Sequence, residues 1–99
     1  MRILVLNCGS SSVKYQLFEL DGDSREVLAS GLVEEVGLGE PKLTHKRPGQ
    51  EAIERTRLPV ENHREAIQLV LDMLVDPEAG VLQDVHQVQA VGHRVVHGG

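Results

Sequence analysis

The feature that most limits what this chain can fold into lies at its start. The unbroken apolar run Ile3-Leu4-Val5-Leu6 stops on Asn7-Cys8-Gly9-Ser10, and an alternating stretch begins at Val13. Consecutive apolar residues halted by a polar, glycine-bearing turn describe a strand covered on both faces. From Val13 to Leu20 the period is close to two, with Val13, Tyr15 and Leu17 facing one way and Lys14, Gln16 and Phe18 the other. The loop between therefore joins two strands. Asp21-Gly22 is a strong turn signal and Val27 to Val36 resumes an extended apolar pattern, so three antiparallel strands in sequence are expected.

Pro41, Pro48-Gly49 and Pro59 punctuate two short polar segments, Lys42 to Lys46 and Ala52 to Leu58, which read as a peripheral hairpin over about 42–58. The spacing of Ile67, Val70, Leu71 and Leu74 predicts a helix from about Asn62 to Val75. Asn62 with Glu65 three residues on is a variant of the capping box, and Pro77 blocks continuation. Val81, Leu82 and Val85 suit one further short turn. The valine-rich stretch from about 88 to 97 is read as a strand returning to the sheet. The fold class that follows is α/β: a mixed sheet with three antiparallel strands first and helix cover on at least one face. With 99 residues only one core is available. Gly98-Gly99 directly after a strand is an unsuitable domain boundary, so a partial domain is expected.

Composition excludes several function classes. Tyr15 and Phe18 are the only aromatic residues, which leaves almost nothing from which to build a base-stacking surface. A formal charge of −5 repels phosphate backbones and anionic membranes at long range. Cys8 is the sole cysteine, so no intrachain disulfide can form and a reducing cytoplasm is the expected compartment. The apolar run at the start is far shorter than a membrane span or a signal peptide.

Two segments carry chemistry. In Asn7-Cys8-Gly9-Ser10-Ser11-Ser12-Val13-Lys14, Gly9 permits close backbone approach, hydroxyls and amide N–H groups can surround phosphate oxygens, and Lys14 adds a positive charge. The spacing is not that of a Walker A loop, and the element that follows is a strand. Taken alone, the segment reads equally well as a serine-rich hairpin turn with an exposed lysine. In Gly92-His93-Arg94-Val95-Val96-His97-Gly98-Gly99, His93 and His97 share a strand face but stand about 13 Å apart, too far to bind one ion. Arg94 and Val96 share the other face, where a guanidinium beside an aliphatic side chain suits a small carboxylate with a short apolar tail. An arginine paired with a neighbouring acid is the competing reading, and on sequence alone the favoured one. His45, His63 and His86 sit among polar residues and are read as solvated. Lys42, Lys46 and Arg47 form a basic cluster answered by Glu51 and Glu54, a solvated face rather than a nucleic-acid patch.

Ile3 to Tyr15 and Val91 to Gly99, taken together, resemble the two signatures of the acetate kinase family, and their separation also fits. The resemblance spans the chain, though the middle is similar mainly in layout; Cys8 stands where the family commonly has Ala. The implied fold is the ribonuclease H-like, actin-like ATPase domain of the acetate and sugar kinase, Hsc70 and actin superfamily, of which this chain would be the first part of the first domain. The implied activity is reversible Mg²⁺-dependent phosphoryl transfer between ATP and acetate. By the same resemblance Gly9, Ser10, Ser11, Ser12 and Lys14 would lie at the ATP phosphates, Asn7 would help position Mg²⁺, and Arg94 and Val96 would hold the carboxylate and its methyl group. No catalytic residue is implied within this stretch. The family's catalytic aspartate and its adenosine pocket would lie beyond Gly99, so the isolated chain is expected to be inactive. A cytoplasmic homodimer is implied for the intact enzyme, with ATP, ADP, acetate and acetyl phosphate as partners and neither nucleic acid nor membrane. A propionate or butyrate kinase is the nearest alternative. A non-catalytic nucleotide-binding module of the superfamily is the alternative of another class, and it would have no need of Arg94.

Overall fold

The computed structural model describes residues 1–95; Val96, His97 and the two terminal glycines lie outside the described residues. Its elements are β1 (Arg2–Cys8), β2 (Val13–Asp21), β3 (Ser24–Glu34), β4 (Lys42–Lys46), β5 (Ile53–Arg55), α1 (His63–Leu74), a single 3₁₀ turn at Val85–Gln87, and β6 (Ala90–Val95). The six strands form one sheet in the order β5-β4-β3-β2-β1-β6. Every neighbouring pair is antiparallel except β1 with β6, which run parallel.

The alternation in the sequence sorts the two faces. Leu4, Leu6 and Cys8 of β1, Val13, Tyr15 and Leu17 of β2, Ala29 and Val33 of β3, and Leu43 of β4 are buried together. Against them pack Ala66, Val70, Met73 and Leu74 of α1, joined by Val36, Val60, Ala79 and Leu82 from the connecting segments. Each fully buried aliphatic side chain of this kind contributes about 1.5–3 kcal/mol relative to exposure, so the α1 stripe holds the helix to the sheet. Asn62 starts the helix by accepting from the Glu65 N–H at 2.9 Å, and the Glu65 carboxylate reaches back to the Glu61 N–H at 2.8 Å. The opposite face carries Lys14, Gln16, Ser30, Leu32, Thr44 and Lys46, and no helix among the described residues lies on it.

The β2–β3 hairpin closes through the two residues Gly22 and Asp23, with Gly22 at φ +61°. Tight two-residue hairpin loops that match strand twist demand such a conformation, which glycine adopts without strain. The strand therefore resumes at Ser24, earlier than the apolar residues alone suggested. The expected hairpin over 42–58 forms the outer edge of the main sheet, because β4 pairs with β3 and β5 with β4.

His45 corrects the sequence reading. It is fully buried, with Nδ1 2.6 Å from the Tyr15 hydroxyl and Nε2 2.9 Å from the Ala79 carbonyl. A carbonyl only accepts, so Nε2 donates; in the neutral ring Nδ1 then accepts from the tyrosine. Burial lowers the His45 pKa and so favours that neutral ring. Tyr15, Gly31 and His45 are register partners across three strands, and a Cβ on Gly31 would lie 2.3 Å from the tip of the Tyr15 ring. Glycine at 31 is what lets the tyrosine cross β3 to reach the histidine.

Candidate functional site

The serine-bearing loop links the C-terminal end of β1 to the start of β2, and among the described residues three hydrogen bonds hold its backbone. The Gly9 N–H donates to the Ser12 carbonyl at 2.9 Å, which closes the turn. The Val36 N–H, just past β3, donates to the Ser11 carbonyl at 2.9 Å. His63 Nε2, from the first residue of α1, lies 2.6 Å from the Gly9 carbonyl. His63 is thus half-buried and engaged, contrary to its solvated reading, whereas His86 is exposed and pairs with Asp84. A Cβ at Gly9 would lie 2.7 Å from the Ser12 hydroxyl oxygen, so a larger residue there would have to turn that side chain away.

The strand register then joins the two motifs. Asn7 of β1 is the partner of Lys14 on one side and of Arg94 on the other. Paired residues share a face, so Arg94, Asn7 and Lys14 form one row across three adjacent strands, on the face away from α1. With strands about 4.8 Å apart, the backbones at Lys14 and Arg94 are roughly 10 Å from each other. Beyond Lys14 the face continues as a trough of about 530 Å³ past Gln16, Ser30, Leu32, Thr44 and Lys46. The serine loop and Arg94 do not line that trough: Arg94 stands at the other end of the row, and the loop closes β1 onto β2 two residues past Asn7 and two before Lys14.

Charge sharpens the picture. Among the described residues neither Lys14 nor Arg94 forms a salt bridge, and both are exposed. The arginine–acid pair that competed with a ligand-binding Arg94 is therefore not formed there. Lys42, by contrast, is 3.5 Å from the Glu54 carboxylate, and Arg47 donates to the Glu78 carbonyl at 3.2 Å. Two cations without an acidic partner among the described residues, separated by one amide side chain and beside a glycine–serine turn, can receive an anion longer than a single phosphate.

His93 points to the other face, where its Nε2 is 3.1 Å from the Cys8 sulfur. Burial pushes the Cys8 thiol pKa up, which keeps the sulfur protonated. Among the described residues no three His, Cys, Asp or Glu side chains gather closely enough to hold a metal ion. Val96 and His97, expected on opposite faces of the last strand, lie outside the described residues. Sequence reasoning missed His63 and His45. The second was findable: in Lys42-Leu43-Thr44-His45-Lys46, His45 alternates in phase with Leu43, the apolar residue that must face inward. Nothing in the sequence linked His63 to Gly9.

Comparison with known proteins agrees on one family. The model of the acetokinase family matches residues 2–99. An acetate kinase of Caldanaerobacter subterraneus subsp. tengcongensis is 56% identical over 99 residues, and one of Moorella thermoacetica is 53% identical over 100, each match covering the whole of this chain. The chain spans about a quarter of the length of the curated relatives it matches, 24% in both cases. The crystal structure of Porphyromonas gingivalis acetate kinase superposes with a TM-score of 0.88 at 41% identity, over 99% of this chain and 24% of that one. That of a propionate kinase from Francisella tularensis gives 0.72 at 34% identity, over 99% and 23%.

Proposed function

This chain belongs to the acetokinase family, and on that premise we propose that it supplies the phosphate loop and the carboxylate-binding arginine of an acetate kinase, which transfers the γ-phosphoryl group of ATP to acetate. The observation that carries the reading is the row Arg94–Asn7–Lys14, with the serine loop joining the strands of Asn7 and Lys14 just beyond it. An acceptor acid at Arg94 and a triphosphate at Lys14 and residues 9–12 would lie within one phosphoryl group's reach of each other. In this reaction an acetate oxygen attacks the γ-phosphorus from the side opposite the β,γ-bridging oxygen. The new O–P bond forms as the bridging bond breaks, and its electron pair leaves with ADP. Such a transfer asks the protein mainly for alignment and for positive charge around the moving group.

Each residue then has a role. Arg94 grips the carboxylate through two parallel N–H bonds, which fixes the attacking oxygen and offsets the repulsion between two anions. Lys14 and the amides and hydroxyls of Gly9, Ser10, Ser11 and Ser12 hold the phosphates. Val96, which lies outside the described residues, is assigned to the methyl group on family resemblance alone. Asn7 offers one neutral oxygen, which fits Mg²⁺, an ion bound largely by water and phosphate and by few protein groups. When bound, Mg²⁺ neutralises phosphate charge. Among the described residues no helix is long and apolar enough to cross a membrane; the single thiol and the acidic balance support a cytoplasmic enzyme without affinity for nucleic acid. The intact enzyme is read as a homodimer on family resemblance.

The test uses the full-length protein with ATP, Mg²⁺ and acetate, trapping acetyl phosphate with hydroxylamine. Arg94→Ala is expected to raise the KM for acetate by roughly 10- to 150-fold, the loss of hydrogen bonds to a charged group, with a much smaller change in the KM for ATP. Equal effects on both substrates would remove the assignment of Arg94, and no acetyl phosphate from the wild type would remove the whole reading. Propionate is the second reading, favoured by the superposition on a propionate kinase. One methylene is worth about 1–3 kcal/mol in an apolar pocket, so the ratio of kcat/KM for the two acids decides it.

A further inference from the structure

Resting on that reading, we propose that His63 is a positioning residue for the nucleotide, its Nε2–H fixing the Gly9 carbonyl and with it the peptide plane that opens the serine loop. The contact is 2.6 Å and joins residues 54 apart in the chain. Since a carbonyl only accepts, the ring nitrogen must be the donor. The C=O of Gly9 and the N–H of Ser10 belong to one trans peptide unit and point in opposite directions, so holding the first orients the second.

The loop needs such a hold because of the residue at its apex. Gly9 cannot carry a Cβ without meeting the Ser12 hydroxyl, yet glycine is also the residue whose adjoining peptide planes turn most freely. Two further bonds on the loop backbone, Gly9 N–H to the Ser12 carbonyl and Val36 N–H to the Ser11 carbonyl, do not engage the Gly9 carbonyl. His63 supplies the hold through a side chain and from a rigid element. A simple role in anchoring α1 is less apt: the helix is already fixed by the buried Ala66, Val70, Met73 and Leu74 and capped by Asn62, while His63 itself is only half-buried.

The experiment compares His63→Ala and His63→Gln in the full-length protein, the glutamine amide nitrogen being able to donate from a similar reach. His63→Ala is expected to raise the KM for ATP by roughly 10- to 100-fold, the cost of misplacing a positioned group by about an ångström, with little change in the KM for acetate. His63→Gln is expected to recover most of that loss. Hydrogen exchange in the nucleotide-free protein should show faster exchange of the amides at 9–12 in His63→Ala, with the α1 amides unchanged. The proposal is overturned if both KM values rise together, if α1 and the loop loosen together, or if glutamine is as poor as alanine in a folded protein. Exchange at the loop decides the tether even if the wild type makes no acetyl phosphate, so failure of the enzymatic reading and failure of this inference are separable.

Discussion

Replacing Tyr15 by Phe removes one oxygen from the centre of the sheet and nothing else. The phenyl ring fills the same space and keeps its stacking on His45, where the centroids are 5.9 Å apart, so no cavity opens. What is lost is the 2.6 Å bond to Nδ1, and what remains is a ring nitrogen with no water to turn to, because His45 is fully buried. Its other nitrogen is committed to Ala79. An unsatisfied buried acceptor costs about 1–3 kcal/mol, and that is the expected loss. His45→Leu orphans two groups instead, the tyrosine hydroxyl and the Ala79 carbonyl. Adding Tyr15→Phe to His45→Leu removes one of those orphans, so the double variant should be less destabilised than the sum by roughly 0.5–3 kcal/mol. Native-state hydrogen exchange of the β2, β3 and β4 amides in the full-length protein reads these values locally, whatever the stability of the rest. Strict additivity, or a Tyr15→Phe effect below about 0.5 kcal/mol, would refute the claim that this pair is a dry, satisfied unit.

Three further outcomes follow from the same geometry. Gly31→Ala should destabilise the sheet by about 1–3 kcal/mol or more, seen as a lower melting temperature, because its Cβ would meet Tyr15 at 2.3 Å and the Thr44 carbonyl at 2.5 Å. Gly9→Ala should leave the fold intact but raise the KM for ATP, since the Ser12 hydroxyl, 2.7 Å from the new Cβ, can rotate away only by leaving its place in the loop. Stability should be full above about pH 6.5 and fall as the pH drops below it. The reason is that burial first, then Arg47 and Arg55, lower the His45 pKa against the opposing pull of Ala79 and Asp76, so the unfolded chain takes the proton before the folded one does. Melting curves of wild type and His45→Leu across that range check it, the variant lacking this part of the acid-side decline.

What could be read from the sequence was whatever depends on neighbours along the chain. The inward set Val13, Tyr15 and Leu17 is a matter of period two, and the start of α1 at Asn62 a matter of one side-chain oxygen and one N–H three residues on. The loop at 9–12 was legible for the same reason, as glycine and serines at a strand end. His45 was misread because polar neighbours in sequence are not neighbours in a pleated strand: Thr44 and Lys46 point away from it. His63 was illegible, because its partner is a backbone carbonyl 54 residues away and carbonyls leave no mark on the sequence. The pairing of β6 with β1 was equally silent. A valine-rich strand can join either edge of a sheet, and only the register places Arg94 opposite Asn7 rather than Val5 or Cys8.

That register brings motifs from opposite ends of the chain side by side. After β1 the chain moves steadily to one side, laying down β2, β3, β4 and β5, and then returns through α1 to place β6 on the other side of β1. The strand order reverses at β1, which is flanked by β2 and β6, and the serine loop leaves the sheet at its carboxyl end. Because β6 is parallel to β1, both present their carboxyl ends there. The end of β1 delivers Asn7 and the serine loop; the end of β6 delivers Arg94. An antiparallel β6 in the same position would have carried Arg94 to the amino end of β1, a strand length from the loop. The direction of this one pairing decides whether the serine loop and Arg94 stand close enough to serve the single transfer proposed for them.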